Sequence, residues 1–215
     1  MNRYLTDRSR MGNQGRSHHS EFDELVRNHN LGVDGDKEAV KRAYDLGKKM
    51  YEADSNNHLV QAYYGSATAL LGRDAIEPGE RMKLAMQGVK ILDNAILQDS
   101  QNIDIRILRA YVCYRLPEMF FHRTSYAIDD FKYLASRYEQ DNSAIKQEFY
   151  WQVLYDLGLA YKTVNKTNEY EKTWRKLSSV STDPKYHNLL GESEVKSDAF
   201  QPQSVTKDWN QKKNS

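Results

Sequence analysis

The chain has 215 residues, enough for one well-buried domain with tails, and its single cysteine, Cys113, excludes an internal disulfide. Lys and Arg number 31 against 30 Asp and Glu, so the net charge of +1 lacks the basic excess of nucleic-acid or anionic-membrane binders. Four prolines and eleven glycines are few for a chain of many tight turns, which favours helix over a β-sandwich.

Residues 1–19 form a basic segment, with Arg3, Arg8, Arg10 and Arg16 against Asp7, and Gly12, Asn13 and Gly15 interrupt any helix. They are read as a flexible tail; as an arm on nucleic acid they would make the protein a regulator, but no aromatic residues are interleaved. The tail also lacks the apolar stretch of a signal peptide, and no run of 18 apolar residues occurs, so a cytoplasmic protein without membrane insertion is expected. Helical periodicity begins at Ser20, with Phe22, Leu25 and Val26 on one stripe and Gly32 and Gly35 as the stop. A second helix is predicted over 36–53, with Ala39, Val40, Ala43, Leu46, Gly47 and Met50 on one side. After Ser55-Asn56-Asn57 a third runs from His58 to Leu71, ended by Gly72. A fourth covers 79–97 beyond Pro78. Ser100-Gln101-Asn102 separates it from a fifth over 103–116, which Pro117 stops. The remaining three are predicted over 123–138, 143–164 and 168–180, and beyond His187 the sequence turns polar and loses its period.

Eight helices fall into four antiparallel pairs, and the second helix of each carries the same spaced trio. The trios are Ala43/Gly47/Met50, Gly88/Leu92/Ala95, Ala127/Phe131/Leu134 and Tyr170/Trp174/Leu177. Four-then-three spacing lies on one helical face, so each trio can pack on its partner helix. Two pairs end alike, in Asp54-Ser55-Asn56-Asn57 and Asp99-Ser100-Gln101-Asn102, and the last ends in Asp183-Pro184. Leu154-x2-Leu157-Gly158-x2-Tyr161, followed by Trp174, resembles the signature of the tetratricopeptide repeat (TPR) family, and Tyr64-Gly65 with Leu71-Gly72 is a second, partial match. The resemblance implies an all-α, TPR-like helical-hairpin solenoid over 20–186, with tails at 1–19 and 187–215. The trios recur at 45, 39 and 43 residues, longer than a TPR unit, with the excess in segments such as 73–80 and 117–122.

Such solenoids bind partners on the concave face lined by the first helix of each pair. Projection from Gly158 puts Gln152, Tyr155, Leu159 and Lys162 there. The equivalent stripes are Asp104, Ile107, Tyr111, Tyr114 and Arg115 in the third pair, and Leu59, Ala62, Ser66 and Ala69 in the second. Tyr111, Tyr114, Arg115, Gln152, Tyr155 and Lys162 are therefore the candidate partner-binding residues, since tyrosine with long polar or cationic side chains suits a peptide groove. Tyr63, Ser66 and Asp104 stand near where the family's carboxylate-gripping grooves carry amide or lysine groups, so capture of a C-terminal carboxylate is not expected. No HExxH, G-x-S-x-G, Walker or G-x-G-x-x-G motif occurs, and no histidine stands at ligand spacing from a cysteine or carboxylate. The expectation is a protein- or peptide-binding scaffold with no catalysis, cofactor or metal. Arg106 and Arg109, one turn apart, suit either an anionic partner group or an internal ion pair. The pairs show no evident polar end cap, which leaves self-association open. Phe200 and Trp209 in the C-terminal tail could fold back into the groove.

Overall fold

The computed structural model describes residues 16–190, with side chains from Ser20 onward. Ten helices and no strand occur among them. In chain order they are α1 (Arg16–Val33), α2 (Lys37–Ala53), α3 (His58–Asp74), α4 (Pro78–Gln98), α5 (Ile103–Arg115), α6 (Glu118–Phe121), α7 (Thr124–Gln140), α8 (Gln147–Thr163) and α9 (Thr167–Val180). A tenth, α10, covers residues 184–190. The expected count of eight is thus corrected to ten: α6 is a single turn following Pro117, and α10 runs across residue 186 into what the sequence reads as a polar tail. The basic segment 1–19 and the tail beyond residue 190, with Phe200 and Trp209, lie outside the residues whose side chains are described.

Side-chain caps start α2, α3 and α5. Asp36 accepts the Ala39 N–H at 2.9 Å, Asn57 that of Val60 at 3.1 Å, and Asn102 those of Asp104 and Ile105 at 3.1 and 3.2 Å. The two similar turns share one backbone hydrogen bond. Asp54 and Asp99 end α2 and α4, and each carbonyl accepts the N–H of the asparagine three residues on, at 3.3 and 3.4 Å. Asp141 ends α7 in the same way, with Ala144 donating at 3.0 Å, so α8 begins at Gln147 and not at 143.

Each long helix packs on the next, from α1 through α5, then α5 with α7, α7 with α8 and α8 with α9, and α3 also touches α1 and α5. The four trios face inward at these contacts: Ala43, Leu92, Ala95, Ala127, Phe131, Leu134 and Leu177 are wholly buried, and only Met50 and Tyr170 are half-buried. A Cβ on Gly88 would meet the Gly65 carbonyl at 2.6 Å and the Ala69 nitrogen at 2.7 Å, so glycine sets how closely α3 and α4 approach. Gly72 does not end α3, because it too is buried against α4 and the helix runs on to Asp74. α3 is buried continuously from Val60 to Thr68, as a helix with neighbours on all sides must be. Two apolar clusters result. One unites α1 to α5; the other runs from α5 to Leu190. α5 belongs to both, giving Ile105 and Leu108 to the first and Tyr111 and Cys113 to the second.

Candidate functional site

A cavity of about 670 Å³ opens beside α3 and α5. Ser66, Ala69, Leu70 and Arg73 line it from α3, and Ile107, Leu108, Tyr111, Val112 and Arg115 from α5. These positions recur every three or four residues, so each set forms one stripe. His29 and Val33 of α1 and Phe149 of α8 complete a floor drawn from α1, α3, α5 and α8. Pro78, Arg81 and Met82 of α4 and Phe120 and Phe121 of α6 form its sides.

The side formed by α6 follows from a proline. Pro117 halts α5, the single turn Glu118–Phe121 follows, and His122 leaves it in the left-handed region at φ 51°. The Glu118 side chain accepts the Thr124 N–H at 2.8 Å, tying the turn to the start of α7. Desolvation opposes ionisation of its carboxyl, but hydrogen bonding from Thr124, with His122 nearby, outweighs it and lowers the pKa. No residue of α6 is buried, and Met119 and Phe120 stand 75% and 63% exposed. Met82 at the same rim and Met86 one turn further along α4 are also exposed.

Polar groups are few here. His29 Nε2 lies 2.7 Å from Ser66 Oγ, joining α1 to α3 across the floor. Burial lowers the His29 pKa to about 4, so the ring is neutral at pH 7. The pair has the reach of a base and a nucleophile, but burial leaves the base weak, and among the described residues the second ring nitrogen meets the Asn30 side chain alone, at 3.5 Å. Ser66 also sits mid-helix, where backbone N–H groups already serve α3 and offer no oxyanion site. The arrangement therefore suits hydrogen bonding better than acyl transfer. Among the described residues the charged lining is all arginine: Arg73, Arg81 and Arg115, with no Asp, Glu or Lys. Arg73 donates to both Asp74 carboxylate oxygens, at 2.7 and 2.8 Å, whereas Arg81 donates through Nε and a terminal nitrogen to the Ala75 carbonyl, at 3.2 and 2.8 Å.

The structure divides the candidate residues. Tyr111 and Arg115 line the cavity, as do Ser66, Ala69 and Ile107 from the same projected stripes. Tyr111 is nevertheless buried and donates its hydroxyl to Asp156 at 2.9 Å; burial, with the carboxylate added, pushes its pKa well above the ordinary value. Tyr114 packs edge-on against Phe131. Gln152 and Tyr155 lie under α10. Gln152 donates to Asp156 at 3.1 Å and accepts from Lys185 and Tyr186 at 3.2 and 3.1 Å. Tyr155 stacks on Trp174, with centroids 5.8 Å apart and planes at 5°, and touches Tyr186. Lys162 is exposed near the C-terminal end of α8 and does not line the cavity. Arg81, Met82, Phe120, Phe121 and the His29–Ser66 contact are missed by the projection of first-helix stripes, the first four because they belong to other elements.

Arg106 and Arg109 turn inward to an ion-pair cluster. Arg109 holds the fully buried Asp130 with two bonds, at 2.7 and 2.9 Å, and Arg106 adds a third at 2.8 Å. Asp93 of α4 joins Arg109 at 3.4 Å and also pairs with Arg123, so the cluster binds α4, α5 and α7. Cys113 is fully buried beside it; desolvation pushes its thiol up to about 11, although Arg123 pulls the other way. Among the described residues no group of three His, Cys, Asp or Glu side chains gathers as for a metal ion, and no helix is long and apolar enough to cross a membrane. The chain matches no family model, no curated protein and no solved structure.

Proposed function

We propose that this protein is a TPR-like helical-repeat scaffold, without catalysis, that binds a protein or peptide segment in the concave face formed by α1, α3, α5 and α8. The observation that carries the reading is the cavity of about 670 Å³ on the first helices, with Phe120 held out in solvent at its edge. An exposed aromatic residue beside an apolar hollow is the composition of a binding hot spot. Support for the repeat comes from the four inward trios, the equivalent Asp54, Asp99 and Asp141 turns, and the Gly158–Trp174 contact that follows the family signature. Within that architecture α10 serves as an end cap, which withdraws Gln152 and Tyr155 from the binding face. Tyr111 and Arg115 remain on it, and Lys162 lies outside.

Peptide phage display against the immobilised chain tests this directly. Enriched peptides should compete with one another and fail to bind the Phe120→Asp variant. Peptides that bind wild type and variant equally would place the site elsewhere.

A further inference from the structure

From the chemistry of the groove we infer that its occupant is an amphipathic helix of a partner protein, with apolar anchors on one face and carboxylates flanking them. The inference rests on the groove reading above and adds the partner's chemistry. The floor offers Ala69, Leu70, Ile107 and Val112 across two neighbouring helices, so it accepts side chains and presents no strand edge for an extended peptide to pair with. Met82 and Phe120 supply a deformable and a rigid apolar contact on the walls, a combination that fits a helix face.

Charge selects the sign of the flanks. Arg73, Arg81 and Arg115 line the groove, and no carboxylate among the described residues does. Asp74 neutralises Arg73, but no carboxylate among the described residues pairs with Arg81. Its guanidinium is instead fixed by two hydrogen bonds to the Ala75 carbonyl, which orients the planar group at the rim without consuming its charge. An oriented arginine whose remaining donors meet no acceptor among the described residues matches a carboxylate on the partner better than a lysine or an amide. The His29–Ser66 contact is neutral at pH 7 and leaves this preference unchanged.

Three fluorescein-labelled synthetic peptides test the inference. All carry the same Leu/Phe face, and their flanking positions are Glu, Gln or Lys. Fluorescence anisotropy with the full chain at low salt should rank Glu over Gln over Lys, with about tenfold between Glu and Gln, and the gap should shrink as salt rises. Arg81→Glu, at an exposed position, should remove or invert the ranking, and Phe120→Asp should weaken all three; circular dichroism checks that both variants stay folded. Equal affinity for the Glu and Gln peptides, with Phe120→Asp still weakening both, would overturn the charge inference and leave the groove reading standing. Absence of binding by all three, or indifference to Phe120→Asp, would overturn the groove reading and the inference with it. Light scattering showing a dimer that Phe120→Asp dissociates would assign the groove to a second copy and overturn the inference also.

Discussion

Gly158→Ala separates a packing role for this glycine from a bystander's. In the middle of a helix the exchange ordinarily stabilises by about 1 kcal/mol, because alanine loses less backbone freedom. Here the added Cβ would overlap the indole of Trp174. The ring has little freedom to retreat: it is stacked on Tyr155, edge-on to Tyr170, and donates Nε1–H to the Tyr155 carbonyl at 3.3 Å. Overpacking of this kind costs about 1–3 kcal/mol. Displacing the indole forfeits a further ~0.5–1.5 kcal/mol of aromatic pairing and about 1 kcal/mol of hydrogen bonding. After the propensity gain, a net loss of about 2–4 kcal/mol is expected, a fall in Tm of roughly 4–16 °C for a chain of this length. Urea unfolding followed by far-UV circular dichroism measures it. A neutral or stabilised Gly158→Ala would refute the α8–α9 packing described here.

Other substitutions probe the remaining contacts. Removing Asp130 by alanine leaves Arg109 buried without its main carboxylate and should cost about 3–5 kcal/mol, whereas Arg109→Met combined with Asp130→Leu should lie near neutral; thermal melts that rank the double variant as the less stable would contradict the ion-pair reading. His29 titrates near 4 when folded and near 6.5 when unfolded, so protons favour the unfolded chain: the loss is absent above about pH 7, grows as pH falls through 6.5 and levels off near 4, reaching about 3 kcal/mol. Comparing urea midpoints of wild type and His29→Gln at neutral and acidic pH should show the wild type losing that much more stability, and parallel pH profiles would contradict a buried neutral ring.

What could be read in the sequence was mostly local. The inward trios, the breaks at 55–57 and 100–102 and the break at Pro117 each depend on neighbours within a helical turn or two, and the structure places them accordingly. The third equivalent turn escaped notice because Ala144 stands where asparagine stands in the other two, although the backbone hydrogen bond needs no side chain there. α6 was illegible because four residues carry no period. α10 was missed because Tyr186 and Leu190, its buried positions, sit among polar residues. The face projected through Gln152 and Tyr155 gave no hint of that cover. His29 and Ser66 are 37 residues apart, and Arg109 and Asp130 are 21 apart, so no local pattern announces either pair. α3 and α8 are apolar on nearly every side, which limits how far a projected stripe can tell floor from core.

The central claim, that binding uses the face closed by α6, is tested most directly by pairing two substitutions of exposed apolar residues. Phe120 lines the cavity, while Leu97, 76% exposed near the end of α4, does not. Anisotropy titration of the Glu-flanked peptide should show Phe120→Asp losing about tenfold or more in affinity, with Leu97→Asp within about twofold of wild type. Equal losses in both variants, or a larger loss at Leu97, would contradict the account.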